Sequence, residues 1–436
     1  MKGDFSRITF DPKKHYSRVL MQQGRVQLDA DWNEQTAIIL HRLETMARDL
    51  IGPFGGPAAE CGFEIQVNDA GSGDFVISKG RYYVDGMLCQ NDDETFKYNF
   101  NVLGLPDGVV FRASTDSDYL VFLDAWEQYI NAFEDPNIRE PALGGPDTSG
   151  RSKVVWSFRI VPYLKATSPK DAIAGALKIL QPSQGKNGNL LVETKPGDHD
   201  DSPCILSPDA QFRGLENQLY RVEIHTSGIA SAIPLTQPSA TFKWSRENGS
   251  DIFPILSAKG QKIVLKPGYS TLGLKSGDWV ELIDDDRAAK VQPDHLLEVK
   301  SVERLEVTMK AALVETYPPL DKHPYLRRWD QKNGPANKNG LTLSEDGAAF
   351  VVEDHPFALE DGIQITFMSL DNSQHEYRSG DFWYITARTA EEGRKSLPTP
   401  PDGLIHHYAP LAVLTFDGKF SVKEDRRIKF SALGTV

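Results

Sequence analysis

The chain has 436 residues, with 48 Lys+Arg against 61 Asp+Glu and a formal net charge of −13. Its 40 % hydrophobic and 10 % aromatic content suits several packed cores and excludes a disordered chain. The acidity argues against nucleic-acid binding by charge, and no segment reaches the ~18 consecutive apolar residues of a membrane span.

The opening Met1-Lys2-Gly3-Asp4-Phe5-Ser6-Arg7 lacks an apolar signal core, so the chain is expected to fold in the cytoplasm without a signal peptide. The residues before the first helix read as a mostly extended arm, made locally basic by Arg7, Lys13, Lys14, Arg18 and Arg25. Such an arm either adds an edge strand to its own first domain or becomes ordered on a neighbouring subunit. A helix of about 20 residues follows. Asp31-Trp32-Asn33-Glu34 has capping-box spacing, and Gly52-Pro53 supplies the stop. Between them Trp32, Thr36, Ile39, Leu43, Met46 and Leu50 recur at alternating steps of four and three, which is a heptad stripe. About three heptads are too short to stand alone, so the stripe needs a partner. That partner is either the chain's own β-domain, favoured by Ala37 and Leu40 widening the face, or other copies of the helix.

Beyond Pro57 the sequence reads as β almost throughout. Asp85-Gly86 between Arg81–Val84 and Met87–Cys89 signals a tight hairpin, because glycine tolerates the positive φ of the turn. Tyr119–Trp126 and Val154–Val161 are near-continuous apolar runs that suit paired, buried strands. The polar excursion between them, from Glu134 to Asp147, has the length of a functional or interfacial loop. A second short helix fits Pro169–Leu180, where Ala172, Ile173, Ala176, Leu177 and Leu180 share a face. Strands resume at Leu219–Ile224 and Ala240–Ser245. Lys275-Ser276-Gly277-Asp278-Trp279 and Arg378-Ser379-Gly380-Asp381-Phe382 each launch an aromatic-rich strand from the same turn. The expected fold is mainly β, built of several small sandwich- or barrel-like domains with one N-terminal helix and a second short one. The expected divisions are an arm-plus-helix segment at 1–57 and β-rich domains at 58–195, 212–316 and 340–436. Pro/Gly-rich linkers near 196–211 and 317–339 separate them.

Side chains with chemical potential are scattered rather than convergent. Asp198-His199-Asp200-Asp201 sits in a linker, Asp284-Asp285-Asp286-Arg287 reads as a solvated turn, and His225, His406 and His407 lack neighbours at a metal-ligand spacing. Asp124 and Glu127 are one carboxylate pair among dozens in an acidic chain. No phosphate loop, nucleotide fingerprint, nucleophile elbow or His-Glu-x-x-His motif is present. No catalytic, cofactor-binding or metal residue is assigned, no cofactor is expected, and the chain does not read as an enzyme. Cys61, Cys89 and Cys204, odd in number and far apart, read as reduced thiols. Trp126, Trp156, Trp244, Trp279 and Trp383 lie in strand-like runs and read as core, whereas Tyr325-Leu326-Arg327-Arg328-Trp329 in a linker-like region reads as an exposed interface anchor.

One motif is long and distinctive: Gly3-Asp4-Phe5-Ser6-Arg7, Thr9-Phe10-Asp11-Pro12, then His15-Tyr16-Ser17-Arg18-Val19-Leu20-Met21-Gln22-Gln23-Gly24-Arg25-Val26-Gln27-Leu28-Asp29-Ala30-Asp31-Trp32-Asn33-Glu34-Gln35. It resembles the start of an uncharacterised family encoded beside phage-tail-like contractile injection systems. Glu134-Asp135-Pro136-Asn137-Ile138-Arg139-Glu140, Gly214-Leu215-Glu216-Asn217-Gln218, Phe242-Lys243-Trp244-Ser245-Arg246-Glu247-Asn248 and His406-His407-Tyr408-Ala409-Pro410 extend the resemblance to about residue 414. The resemblance implies a structural part of a bacterial, syringe-like particle, carried outside the cell when the particle is released. A baseplate-associated accessory, cage or fibre-like component is expected, with a cap-end adaptor as the structural alternative. A carbohydrate- or surface-binding module and a glycan-degrading enzyme are alternatives from other classes. The expected partners are further copies of the chain, since parts of such particles usually occur in three or six copies and a trimer is favoured here, and sheath, tube, baseplate or cap proteins; nucleic acid and membrane insertion are not expected. The assembly surface is expected at Trp32, Ile39, Leu43, Met46 and Leu50, at Arg7, Arg18 and Arg25, and at Tyr325, Arg328 and Trp329.

Overall fold

A computed structural model describes residues 1–67, 74–94, 96–99, 114, 117–143, 147–163, 168–180, 188–194, 218–230, 239–267, 273–290, 296–313, 320–369, 375–388 and 396–432. The chain is mainly β and divides into two compact units, each assembled from separate stretches. The barrel unit comprises residues 1–8, 129–151 and 185–404, and the helix unit comprises residues 9–128, 152–184 and 405–436.

In the helix unit the Ser117–Ile130 strand is buried on both faces, which explains its unbroken apolar run. Tyr119, Val121, Leu123 and Ala125 join one core with Phe63, Phe75, Tyr82 and Phe158. Leu120 and Phe122 point the other way, onto Ala176 and Leu180 of helix α2 (Pro169–Leu180). The strand sits in a sheet of order Phe420–Asp425, His407–Phe416, Ser117–Ile130, Arg151–Pro162. The antiparallel pair matches Tyr408 with Asp124 and Leu414 with Tyr119. The pairing draws residues 405–436 back to strands formed three hundred residues earlier, so the uninterrupted 340–436 domain expected from sequence is not what forms. A central strand needs a neighbour on each edge, and the His407–Phe416 strand supplies one.

The barrel unit contains a closed barrel of six antiparallel strands in the order Ile252–Lys259, Lys262–Leu265, Glu306–Met309, Leu296–Glu303, Trp279–Ile283, Tyr325–Trp329. Phe253, Ile255, Ile263, Val280, Val299, Val307 and Leu326 fill it. Beside it a sheet runs Ala349–Phe350, Thr241–Ser245, Gln218–Thr226, Phe382–Ala387. Alternation along two of these strands sends Tyr220, Val222, Ile224, Phe242 and Trp244 into an apolar core with Ile365, Phe367 and Trp383. Their opposite-facing neighbours Arg221, Glu223, His225 and Lys243 are buried as well.

That second burial corrects the reading of the 317–339 stretch. Tyr325–Trp329 is the strand that closes the barrel, not an exposed anchor in a linker. Trp329 is 1 % exposed and Tyr325 is buried, while Arg328 is held by Asp251 and by the Gly273 carbonyl. Pro324 directly precedes the strand, and Pro335 precedes a short 3-10 helix at Ala336–Lys338. The linker expected near 196–211 and Asp198-His199-Asp200-Asp201 lie outside the described residues, as does Cys204. Cys61 and Cys89 are free thiols.

Candidate assembly surface

Helix α1 spans Asp29–Ile51 and ends as expected: Gly52 takes φ +97 and its N–H bonds the Arg48 carbonyl. Its start differs from the capping-box expectation. The helix begins three residues earlier, Leu28 at the cap gives no side-chain hydrogen bond, and Asp31 stands in the first turn. Glu34 is occupied elsewhere, accepting a hydrogen bond from the Thr9 hydroxyl. Acidic Asp29 and Asp31 still face the positive end of the helix dipole.

One side of α1 is held by the rest of the helix unit. Ala30 and Ile38 are buried, the Val19 N–H bonds Gln35 Oε1 at 2.7 Å, and Phe10 packs on His41 with ring centroids 5.6 Å apart. The Asp85-Gly86 hairpin presses against the middle of the helix. A Cβ on Gly86, whose φ is +91, would lie 2.2 Å from the Glu44 carbonyl oxygen, so only glycine fits. Asp85 faces Arg48 across 3.7 Å and His407 Nδ1 across 3.0 Å. Burial, with Glu127 nearby, raises the Glu44 carboxyl.

The other side carries the heptad stripe, and it faces solvent. Trp32 is 76 % exposed, Ile39 48 %, Leu43 51 %, Met46 54 % and Leu50 67 %. Arg18 and Arg25 are exposed with Leu20, Met21 and Val26 of the arm, while Arg7 is half-buried. Twelve of the twenty exposed large apolar side chains among the described residues lie between Ile8 and Leu50. A groove of about 570 Å³ adjoins the stripe, lined by Phe10 and Tyr16 of the arm and by Ile38, His41, Met46 and Leu50 of α1. Of the residues expected at the assembly surface, the structure brings the α1 set together and removes Tyr325, Arg328 and Trp329 to the barrel.

The first residues behave unlike the rest of the arm. Within the barrel unit, Asn248 donates to the carbonyls of Met1 and Gly3 at 3.0 and 2.9 Å, and Arg388 donates to the Ser6 carbonyl at 2.7 Å. Tyr384 bonds both the amine and the carbonyl of Met1. The Lys2 side chain, 24 % exposed, reaches Glu223 at 3.0 Å. Glu223 also accepts from Arg221 at 2.6 Å, and Lys243 bridges onward to Glu281 at 2.7 Å. Glu281 takes the Trp329 indole N–H at 2.9 Å, and Lys243 lies over that ring at 4.4 Å. Burial raises the Glu223 carboxyl, but Lys2, Arg221 and Lys243 outweigh it and hold the group well below the usual range. Glu281 is held at about 2 against the same burial by Lys243 and Lys2. Burial drives the Lys2 ammonium down to about 7, with Glu223 opposing. The carboxylates and cations of this layer are committed to one another, and through Lys2 they hold the first residues in place. Sequence reasoning missed it, since Arg-x-Glu alternation in a strand reads as a solvated face. The signal in the sequence was Lys243 set between Phe242 and Trp244.

The other polar clusters are similarly occupied. In the helix unit, the fully buried Asp124 receives Arg159 Nε at 2.9 Å and faces His406 Nδ1 at 2.6 Å, with Trp126 against the imidazole. This fixes the His406 ring. Asp284 accepts the Arg287 N–H at the start of a short helix, and Asp285 pairs with His323. Among the described residues, no group of three His, Cys, Asp or Glu is placed to hold a metal ion.

The family described as a family of unknown function (DUF6519) matches residues 1–190 and 188–418. The chain belongs to this family. No curated protein and no solved structure matches the chain. The DUF6519 match spans both units, and its description carries no role.

Proposed function

We propose that this protein is a structural subunit of a phage-tail-like contractile injection particle and that it works by binding its neighbours, not by turnover. The favoured place is the baseplate region, as an accessory, cage or fibre-like component; the cap-end adaptor is the second place considered. The observation that carries a role in assembly is the exposed heptad stripe of α1, rigidly presented by a helix whose other side is fixed. The link to an injection particle comes from the resemblance of residues 3–35 and the later motifs. A surface-binding module draws less support, because Trp126, Trp244, Trp329 and Trp383 are core and form no exposed aromatic platform.

The test is co-sedimentation. In cells that produce the particle, a tagged copy of the chain is expected in the fractions of intact particles, and a map of those particles would locate it. A chain that stays with free protein, or that turns over a substrate, overturns the reading.

A further inference from the structure

We infer that the α1 stripe is covered by α1 of other copies of this chain, in a parallel bundle of more than two helices. This deepens the structural-subunit reading and rests on it for its biological setting. The spacing assigns Thr36, Leu43 and Leu50 to heptad position a, and Trp32, Ile39 and Met46 to position d. Two-stranded seams favour β-branched residues at a and leucine at d; leucine at a with isoleucine at d shifts the preference to three or four strands. Leu43 and Ile39, the central pair, have the second arrangement. The flanks agree. Leu40 and Ala47 stand at two of the three e positions, after Asn33 at the first, where a dimer usually carries charge, and Leu40 is 42 % exposed. Apolar e residues broaden the stripe to the width that three or more packed helices cover.

Charge sets the direction. With a facing d in an antiparallel pair, Arg42 meets Arg42 of the second copy. In a parallel bundle Arg42 at g lies beside Ala47 at e of the next copy, and no like charges meet. A parallel ring also closes on itself by rotation, so each copy uses the same surface. The occupant is therefore this chain, because the stripe is self-complementary in sequence and the helix is already fixed on its other side.

The experiment uses the full chain at micromolar concentration and measures mass by sedimentation equilibrium. The expected mass is three or four times that of one chain; a mass of one or two chains overturns the proposal. Leu43→Glu is expected to reduce the mass to a single chain with unchanged circular dichroism, and a folded variant that keeps the parent mass overturns the α1 seam. Ile39→Cys provides the second line, because a parallel bundle places residue 39 of every copy in one layer. Oxidation is expected to give covalently linked chains absent from the unsubstituted protein. If Ile39→Cys links only when mixed with Leu43→Cys, the helices are antiparallel and the proposal falls. A single-chain mass with retained co-sedimentation defeats the bundle alone. A bundle that never co-sediments with particles defeats the particle reading alone.

Discussion

Lys2 and Trp32 belong to the same N-terminal stretch and invert the ordinary rule of burial. The lysine is drawn into a layer with Glu223, Arg221 and Lys243, while the tryptophan stands 76 % exposed on α1. The charge is tolerated inside because Glu223 and Glu281 lie within reach of three cations and the polar atoms find partners. The indole is tolerated outside because α1 takes its place through Ala30, Ile38 and the hairpin at Gly86, which leaves the stripe free. Burial alone therefore does not separate structural from interactive residues. What separates them is whether the partner lies within the same chain.

Substitutions test this contrast at both ends. The largest effect is expected from Trp329→Ala, which empties a fully buried site and deprives Glu281 of a donor. A loss of about 3–5 kcal/mol in urea unfolding is expected, and an unchanged midpoint would return Trp329 to the surface. Next comes Glu223→Gln, which leaves Lys2, Arg221 and Lys243 short of a counter-charge. Breaking a buried pair on one side costs about 3 kcal/mol, read by the same denaturant titration.

The third test is pH. In the folded chain Lys2 releases its proton at about 7, whereas an unfolded lysine holds it to 10.5. Between these values the unfolded state binds more protons, so this group makes stability rise with pH. Unfolding free energies measured across pH 7 to 10.5 are expected to climb more steeply in the parent than in Lys2→Met, and equal slopes would place the ammonium in solvent. The smallest effect belongs to the exposed side. Leu43→Glu is expected to alter the unfolding free energy of the dissociated chain by less than ~0.5 kcal/mol; a larger loss would mean that Leu43 packs within its own chain.

Local signals were legible where backbone chemistry is local. The Asp85-Gly86 turn, the Pro169–Leu180 helix and the Gly52 stop all appear where periodicity and φ requirements place them. The α1 stripe was legible for the same reason. The layer around Glu223 was not, because a strand alternating Arg221, Val222, Glu223 and Ile224 has the pattern of a strand with one wet face. The barrel strands carrying Glu281 and Trp329, together with the N-terminal residues, help to dry it. Tyr325–Trp329 misled because its flanking prolines mark turns and linkers alike. The units were illegible because their strands pair across long separations, as Tyr408 with Asp124, and pattern along the chain carries no record of that return.

The glycine at the hairpin tip has a mechanical consequence. With Gly86 packed against the Glu44 carbonyl, and Asp85 taking the Pro53 carbonyl through its N–H, α1 has no freedom to roll about its axis without lifting the hairpin. That hairpin belongs to the sheet Lys429–Phe430, Phe54–Pro57, Gly80–Val84, Met87–Asn91. A load applied to the helix is therefore handed to four strands as torque, and the joint transmits force as a stiff bracket does, with none of the slack of a tether.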